Sequence, residues 1–474
     1  MDGKTYSQTV RINREVMMRI AHAFINGTLP DTIDRIPIEM RPKHSQSTRC
    51  CLYKDREIIK HRCLAALGFN PDNEELLTLR EHALAAEQRL KTGDTSLIVL
   101  DVACSSCITE QYRVTDACRG CSARPCTSIC PKEAVTVING RAIIDSDKCV
   151  NCGRCVDVCR YHAIIHQPIP CEETCPVDAF TQDKYGQRTI DTARCIHCGK
   201  CVQSCPFGAI LLRSQLIDVL SVLNTDKHVT LIPAPSIMTQ YPGTWEQLCT
   251  AFKKAGFAHV IEVAEGARMT MTHESEEVLE HLDHGNPFLT TSCCPAWIEL
   301  VNKHIPEIVP NVSTTKSPMS YAVEQARAEN PDTVVVFAGP CFAKQQEAKR
   351  NNSADYVLTF EELGVLLAAS NIDILQMPNN NEDDTALDES HGFALSGGVA
   401  HAVKITSGNN ERIVPHLIDG ITKKEIFKIK AMAKTGKCPG TLVEVMGCEG
   451  GCIAGPGTVM NPQKAAAQFK KRLS

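Results

Sequence analysis

Sixteen of this chain's 26 cysteines lie between residues 104 and 205. Side chains at that density must either cross-link or bind metal, and the compartment decides between the two. The opening residues, MDGKTYSQTVRINREVMMRI, hold no uninterrupted apolar core and no small-residue cleavage site, so they do not read as a secretory signal. No apolar run approaches the roughly 18 residues that a membrane span requires. A cytoplasmic location is therefore expected, where thiols stay reduced and serve metal or redox chemistry. The net charge of −5 offers no basic surface for nucleic acid or anionic lipid.

Three quartets have a C-x2-C-x2-C-x3-C spacing or a near variant: Cys118, Cys121, Cys126 and Cys130; Cys149, Cys152, Cys155 and Cys159; Cys195, Cys198, Cys201 and Cys205. This spacing resembles the bacterial ferredoxin run, in which three cysteines hold one [4Fe-4S] cube and the fourth reaches the neighbouring cube. That rule gives cube 1 to Cys118, Cys121, Cys126 and Cys159, and cube 2 to Cys149, Cys152, Cys155 and Cys130. CEETCPVDA (171–179) reads as the tail of another quartet. Cube 3 then takes Cys195, Cys198, Cys201 and Cys175, leaving Cys104, Cys107, Cys171 and Cys205 for cube 4. Structural zinc also uses C-x2-C pairs but lacks the third in-line cysteine, so it competes mainly at Cys104 and Cys107. Cubes in one short domain pass single electrons between a surface and something buried.

Residues 1–95 carry helical periodicity, in Val10, Val16, Met17, Ile20 and Phe24 and again in EELLTLREHALAAEQRL (74–90). SLIVLDVA (96–103) reads as a short strand. From 216 onward apolar strands (HVTLIPAP, HVIEVA, PFLTTSCC, DTVVVFAGPC) alternate with helices (TWEQLCTAFKKAGF, MTHESEEVLEHL, AWIELVNKHI), which predicts α/β units with parallel pairing. The expected architecture is an N-terminal helical region (1–95), an α+β ferredoxin-like iron–sulfur domain (96–215) and an α/β domain of parallel-sheet lobes (216–474). PNNNEDDTALDES (378–390) reads as a surface loop. Cys249 lies in an amphipathic helix and Cys438 in a turn. Cys50, Cys51 and Cys63 either bind metal with His44 or His61 or serve as small buried hydrophobes.

Three segments beyond 216 place cysteines apart from the ladder: TSCCPAW with Cys293 and Cys294, GPCFAKQQE with Cys341, and EVMGCEGGCIAGPG with Cys448 and Cys452. In this order they resemble the signatures TSCCPxW, MPCxxKxxE and ExMxCxxGCxxGGG of the [FeFe]-hydrogenase catalytic domain. The resemblance implies an H-cluster, with a [4Fe-4S] cube on Cys294, Cys341, Cys448 and Cys452. Cys452 would bridge that cube to a di-iron site carrying CO, cyanide and a bridging dithiolate. Cys293 would be an unligated thiol that passes protons to the bridging amine, and a thiol pKa of about 8.5 keeps both protonation states accessible. Lys344 matches the lysine that hydrogen-bonds a cyanide, Glu347 the glutamate behind it, and Met446 the methionine of the third motif. Ser236 and Ser317 fall where polar residues of the cyanide region lie. Ser313, Glu274 and Glu277 match the family's proton path, with His281 replacing its surface arginine. Without the resemblance, these glutamates read as a solvated helix face.

Two departures look like the group B subset of that family. GPC replaces MPC, so Gly339 stands where a methionine packs on the di-iron site, and GPG replaces GGG at 455–457. The resemblance implies reversible 2 H⁺ + 2 e⁻ ⇌ H2 in a monomer served by a ferredoxin- or flavodoxin-like carrier and loaded by H-cluster maturation proteins. No GxGxxG opens a helix after a strand, so direct nicotinamide reduction is not expected. Two rival readings share the cysteines. One is a hydrogenase-like iron–sulfur protein without the di-iron site, serving cluster assembly or electron transfer. The other is a hydrogen sensor.

Overall fold

The computed structural model describes residues 7–473 apart from 72–76, 94–96, 106, 109–110, 184–186 and 380–387. Val229–Pro233 is buried at every position, as a strand covered on both faces must be. It pairs in parallel with His259–Val260 on one side and Val334–Gly339 on the other, and Val334–Gly339 pairs in parallel with Tyr356–Thr359. A second parallel sheet joins Leu289–Thr290 to Leu442–Met446, and the latter to Pro415–Asp419. Parallel sheets with helices between their strands are the α/β pattern the sequence predicts.

Two of the expected strands shrink. HVIEVA contributes only His259–Val260, because the chain leaves the sheet and enters the helix Val263–Asp283 after Glu262. PFLTTSCC contributes Leu289–Thr290, and Thr291–Cys294 becomes the approach to the helix Pro295–His304. SLIVLDVA is a strand only over Leu97–Val99, after which Asp101–Cys104 turns helical. Most of PNNNEDDTALDES lies outside the described residues.

The cysteine-rich region is built from four antiparallel strand pairs. Val135–Ile138 pairs with Arg141–Ile144, Tyr112–Val114 with Ile164–His166, Phe180–Gln182 with Arg188–Ile190, and Leu97–Val99 with Ile210–Leu212. At the N-terminus, the helix Gln8–Ile25 starts on a Ser7 cap and buries Val16, Met17 and Ile20. These residues share one apolar core with Leu363 and Leu366 and with the four-stranded sheet. Arg14 and Glu361 form an ion pair across this contact at 2.5 Å. Buried Asp218 likewise accepts from Arg89 Nε at 2.7 Å and from the Thr92 N–H at 2.9 Å. Among the described residues, no helix is long and apolar enough to cross a membrane.

Candidate metal centres and catalytic pocket

Four five-residue segments close the quartets alike: CPKEA (130–134), CRYHA (159–163), CPVDA (175–179) and CPFGA (205–209). In each, the alanine N–H donates to the cysteine Sγ at 3.3 Å. The residue before each alanine (Glu133, His162, Asp178, Gly208) has positive φ, which folds the turn back onto the sulfur. A backbone donor aimed at sulfur favours thiolate. At Cys130, burial pushes the pKa up, but the N–H groups of Lys132, Ala134, Val135 and Glu133 more than offset it and hold the thiol below its ordinary value. The repeated C-x3-A is the signal that places CEETCPVDA among the four tails.

The thiols meet in four groups. After burial, Cys121 and Cys159 push Cys126 up, as Cys149, Cys152 and Cys130 do to Cys155. Cys118 packs in the same small core as Cys126 and Cys159. Cys175, Cys195, Cys198 and Cys201 line one cavity, and Cys104, Cys107, Cys171 and Cys205 line another. Among the described residues, no three His, Cys, Asp or Glu side chains close around a single metal ion. A cube spreads its four thiolates over four irons and needs wider spacing than one tetrahedral ion.

The candidate catalytic pocket forms where three strand ends converge. Cys293 and Cys294 follow Leu289–Thr290, Cys341 follows Val334–Gly339, and Cys448 follows Leu442–Met446. In parallel sheets ligands gather at these carboxyl ends. One cavity is lined by Cys293, Cys294, Cys341, Cys452, Lys344 and Ser236, with Met446, Phe337, Met319 and Phe393 as its apolar wall. Cys448 joins the group: burial first, then Cys341, Cys294, Cys452 and Cys198, push its thiol well up.

The neighbouring cysteines 293 and 294 differ in their surroundings. Burial pushes the Cys294 thiol up, and the N–H groups of Trp297, Gly447 and Ala296, with the Gly447 N–H 3.3 Å from its Sγ, only partly offset that. Burial pushes Cys293 well above the usual thiol range, and the carboxylates of Glu274 and Glu444 push it further. Cys294 is met by backbone donors of the kind a thiolate ligand needs, whereas Cys293 faces carboxylates that favour its protonated thiol.

Glu274 and Glu277 lie three apart on the helix Val263–Asp283 and so share one of its faces. Glu274 is fully buried, and burial, with Glu277 adding, pushes its carboxyl up to about 8. Its Oε1 accepts the Ser292 N–H at 3.3 Å, while its Oε2 has no partner among the described residues. Ser313 donates to Glu277 at 2.6 Å and also favours the ionised form of Glu274, so its hydroxyl stands between the two carboxyls. Burial opposes ionisation of Glu277, but Ser313, the Thr314 N–H and the Thr315 hydroxyl outweigh it and hold Glu277 below the usual carboxylate range. Ser313, Thr314 and Thr315 line a second, polar cavity with Ser317 and Glu347. These glutamates are not a solvated face. His281 bonds the Phe288 carbonyl at 3.1 Å, beside Asn311.

Lys344 Nζ donates to Glu347 at 2.7 Å and to Ser317 at 3.4 Å, and Ser317 in turn donates to Glu347. This network holds the ammonium against the cavity wall. The donor set fits an H-cluster: Cys294, Cys341 and Cys452 at one cavity with Cys448 acting on them, an ammonium, and a Ser236 hydroxyl buried with no partner among the described residues. One residue with no role in the sequence reading belongs here too. Glu444 is fully buried, accepts the N–H groups of Gly397 and Ala400 at 2.8 Å each, and is pushed up to about 7 by burial. Its signal was a lone carboxylate inside the apolar strand LVEVM.

Residues 227–456 match the family described as iron only hydrogenase large subunit, C-terminal domain, and residues 142–165 and 188–211 match the 4Fe-4S binding domain. This is an [FeFe]-hydrogenase-like chain with a ferredoxin-type region. Iron hydrogenase 1 of Clostridium pasteurianum is 27% identical over 399 residues, 71% of this chain and 68% of that protein. The cytosolic Fe-S cluster assembly factor NAR1 of Meyerozyma guilliermondii is 32% identical over 130 residues, 24% of each chain. A solved [FeFe]-hydrogenase variant from Chlamydomonas reinhardtii has a TM-score of 0.43 at 21% identity, covering 54% of this chain and 87% of that one.

In this hydrogenase-like chain both motif departures have structural counterparts. A Cβ at Gly339 would stand 2.5 Å from the Phe337 ring, so Phe337 fills the space of the replaced side chain. Pro456 of GPG packs on Gly199, where a Cβ would meet its Cγ at 2.5 Å. That contact joins the Cys198 loop to the C-terminal α/β lobe. Of the remaining cysteines, Cys63 lies in the apolar core, while Cys50 and Cys51 are exposed with their sulfurs 3.9 Å apart. His61 faces Glu57 at 3.3 Å.

Proposed function

We propose that this chain is an [FeFe]-hydrogenase that interconverts protons, electrons and H2 in the cytoplasm. The observation carrying this reading is the line Cys293, Glu274, Ser313, Glu277, which leads from the four-cysteine cavity to a polar one. A protein that only holds cubes has no use for a buried acid–base chain. Cys294, Cys341, Cys448 and Cys452 would hold the H-cluster, with Cys452 bridging, and Lys344 would hydrogen-bond a cyanide ligand. The H-cluster, with its CO, cyanide and dithiolate ligands, supplies the redox chemistry of H2 when bound.

The protein's own part is to move protons and admit electrons. Cys293 exchanges a proton with the cavity, and Glu274, largely neutral at pH 7, exchanges it with Cys293. Ser313 turns its hydroxyl between the two carboxyls, and ionised Glu277 collects protons at the polar cavity. Met446 and the apolar wall exclude water, while Glu347 and Ser317 hold Lys344 in place. On the electron side, Cys198 of cube 3 is close enough to act on Cys448. Electrons would enter at cube 2, whose Cys152 is the one exposed cysteine of the sixteen. Val150, two residues before it, is exposed as well. Residues 113–166 hold eight Lys and Arg against five Asp and Glu, in a chain of net charge −5. That surface suits an acidic ferredoxin- or flavodoxin-like carrier. A monomer loaded by maturation proteins completes the reading.

The match to NAR1 favours a second reading, an iron–sulfur assembly protein without the di-iron site. Infrared spectroscopy of anaerobically matured protein separates the two. CO and cyanide bands that shift between H2 and CO support the hydrogenase. Their absence at full iron and sulfide content refutes it and leaves the assembly reading.

A further inference from the structure

The N-terminal helices take no part in the proposed H2 chemistry, yet one of them closes over the cysteines of cube 4. In the helix Leu52–Ala66, Ile58 and Ala65 pack with Leu100, Ala103 and Ala209, against Cys104, Cys205 and Phe207. The same helix carries Arg62, which is 3% exposed. Arginine is almost never this buried unless it is paired. Its Nη2 donates to the carbonyls of Phe207 at 3.3 Å and Gly208 at 2.8 Å, in the turn just after Cys205. Gly208 makes the approach possible, since a Cβ there would stand 2.9 Å from Arg62 Nη2.

Two more guanidiniums complete the enclosure. Arg49 donates to the Ala103 carbonyl at 2.9 Å, beside Cys104, and lies 4.8 Å over the Phe207 ring. From the far side Arg188, held by Glu172 at 2.7 Å, lines the cavity of Cys104, Cys107, Cys171 and Cys205. Arg62 acts electrostatically on Cys205, and Arg188 on Cys104 and Cys171.

A cube on four thiolates becomes one unit more negative on reduction. Excluding water lowers its potential, and positive charge placed beside it raises the potential again. We infer that the N-terminal helices are a redox cap on cube 4: they seal it from water and, through Arg62 and Arg49, supply the charge that keeps it reducible. The inference rests on the four-cube reading. A cube held by Cys104, Cys107, Cys171 and Cys205 would take one electron from a neighbouring cube and pass one on, while the guanidiniums keep their protons throughout.

EPR-monitored redox titration of the full-length, cluster-loaded protein tests this, with the cube 4 signal assigned by its loss in Cys107→Ser. Arg62→Gln should lower the reduced-to-oxidised ratio of cube 4 at least threefold at the wild-type midpoint, about 28 mV at 59 mV per tenfold. Arg62→Lys should hold the wild-type value. Arg49→Gln, at a partly exposed position, should give a smaller shift of the same sign. Unchanged potentials in both glutamine variants, with iron and sulfide content intact, would overturn the cap. A wild-type iron content short by one cube, with no signal that Cys107→Ser removes, would instead overturn cube 4 itself.

Discussion

Replacing Glu274 by glutamine is the sharpest test of the relay. Burial moves this carboxyl from 4.5 to about 8. At about 1.36 kcal/mol per unit, ionising it in the fold costs on the order of 4–5 kcal/mol more than in water. The same value makes it an acid and a base near neutrality, with roughly nine-tenths of the carboxyls neutral at pH 7 and about one-tenth at pH 9. H2 production needs the neutral form as proton donor, so its rate should fall along an alkaline limb with a midpoint near 8. H2 oxidation needs the ionised form and should rise over the same range. Glu274→Gln keeps the shape and removes the transferable proton. Both directions should slow by about 10²–10⁴, the usual worth of a positioned acid–base group, and the limb should vanish. The assay is H2 production and uptake with a dye carrier from pH 6 to 10, on protein whose iron content and infrared bands match the wild type. A variant within fivefold of the wild-type rate, or one that keeps the limb, refutes Glu274 as the relay.

Cys293→Ala should keep all clusters and infrared bands yet lose at least a hundredfold in turnover, and retained turnover would remove Cys293 from the path. Glu274 and Glu444 are both raised, to about 8 and about 7, so the fold favours their neutral forms. Their stabilising contribution is complete below about pH 4.5 and is lost as pH rises through 7 and then 8. The denaturant midpoint should therefore fall between pH 6 and 9, and Glu444→Gln should flatten the lower part of that fall. A midpoint constant across the range in the wild type contradicts the assignment. Reversing charge at exposed Arg154 and Arg160 (both to Glu) should raise KM for an acidic ferredoxin at least threefold at low salt. Dye-linked kcat should not move, and the KM difference should close at high salt.

The grouping of the cysteines was legible in the sequence because cubes demand short, regular spacing, and spacing is what a linear string displays. The parallel lobes were legible for a similar reason, through apolar runs such as HVTLIPAP and DTVVVFAGPC. What sequence could not give was contact between distant segments. Arg62 reads as one more charge on a helix until Gly208, 146 residues away, accepts its hydrogen bond. Glu444 carried a signal in its apolar strand, but nothing local says that Cys293 stands beside it. Short strands also failed: two residues at His259–Val260 leave too little pattern to separate from the helix that follows.

Phe337 and Gly339 are two apart on one strand, so they project to the same side, and the ring of one occupies the place of a side chain on the other. They are therefore one volume divided between two positions. Returning a methionine to 339 alone would overpack the wall, at about 1–3 kcal/mol, and shrinking 337 alone would open a cavity. Each single step is penalised, while the paired change is nearly neutral, which is the signature of coupled sites. A graft of either lining must therefore carry both residues.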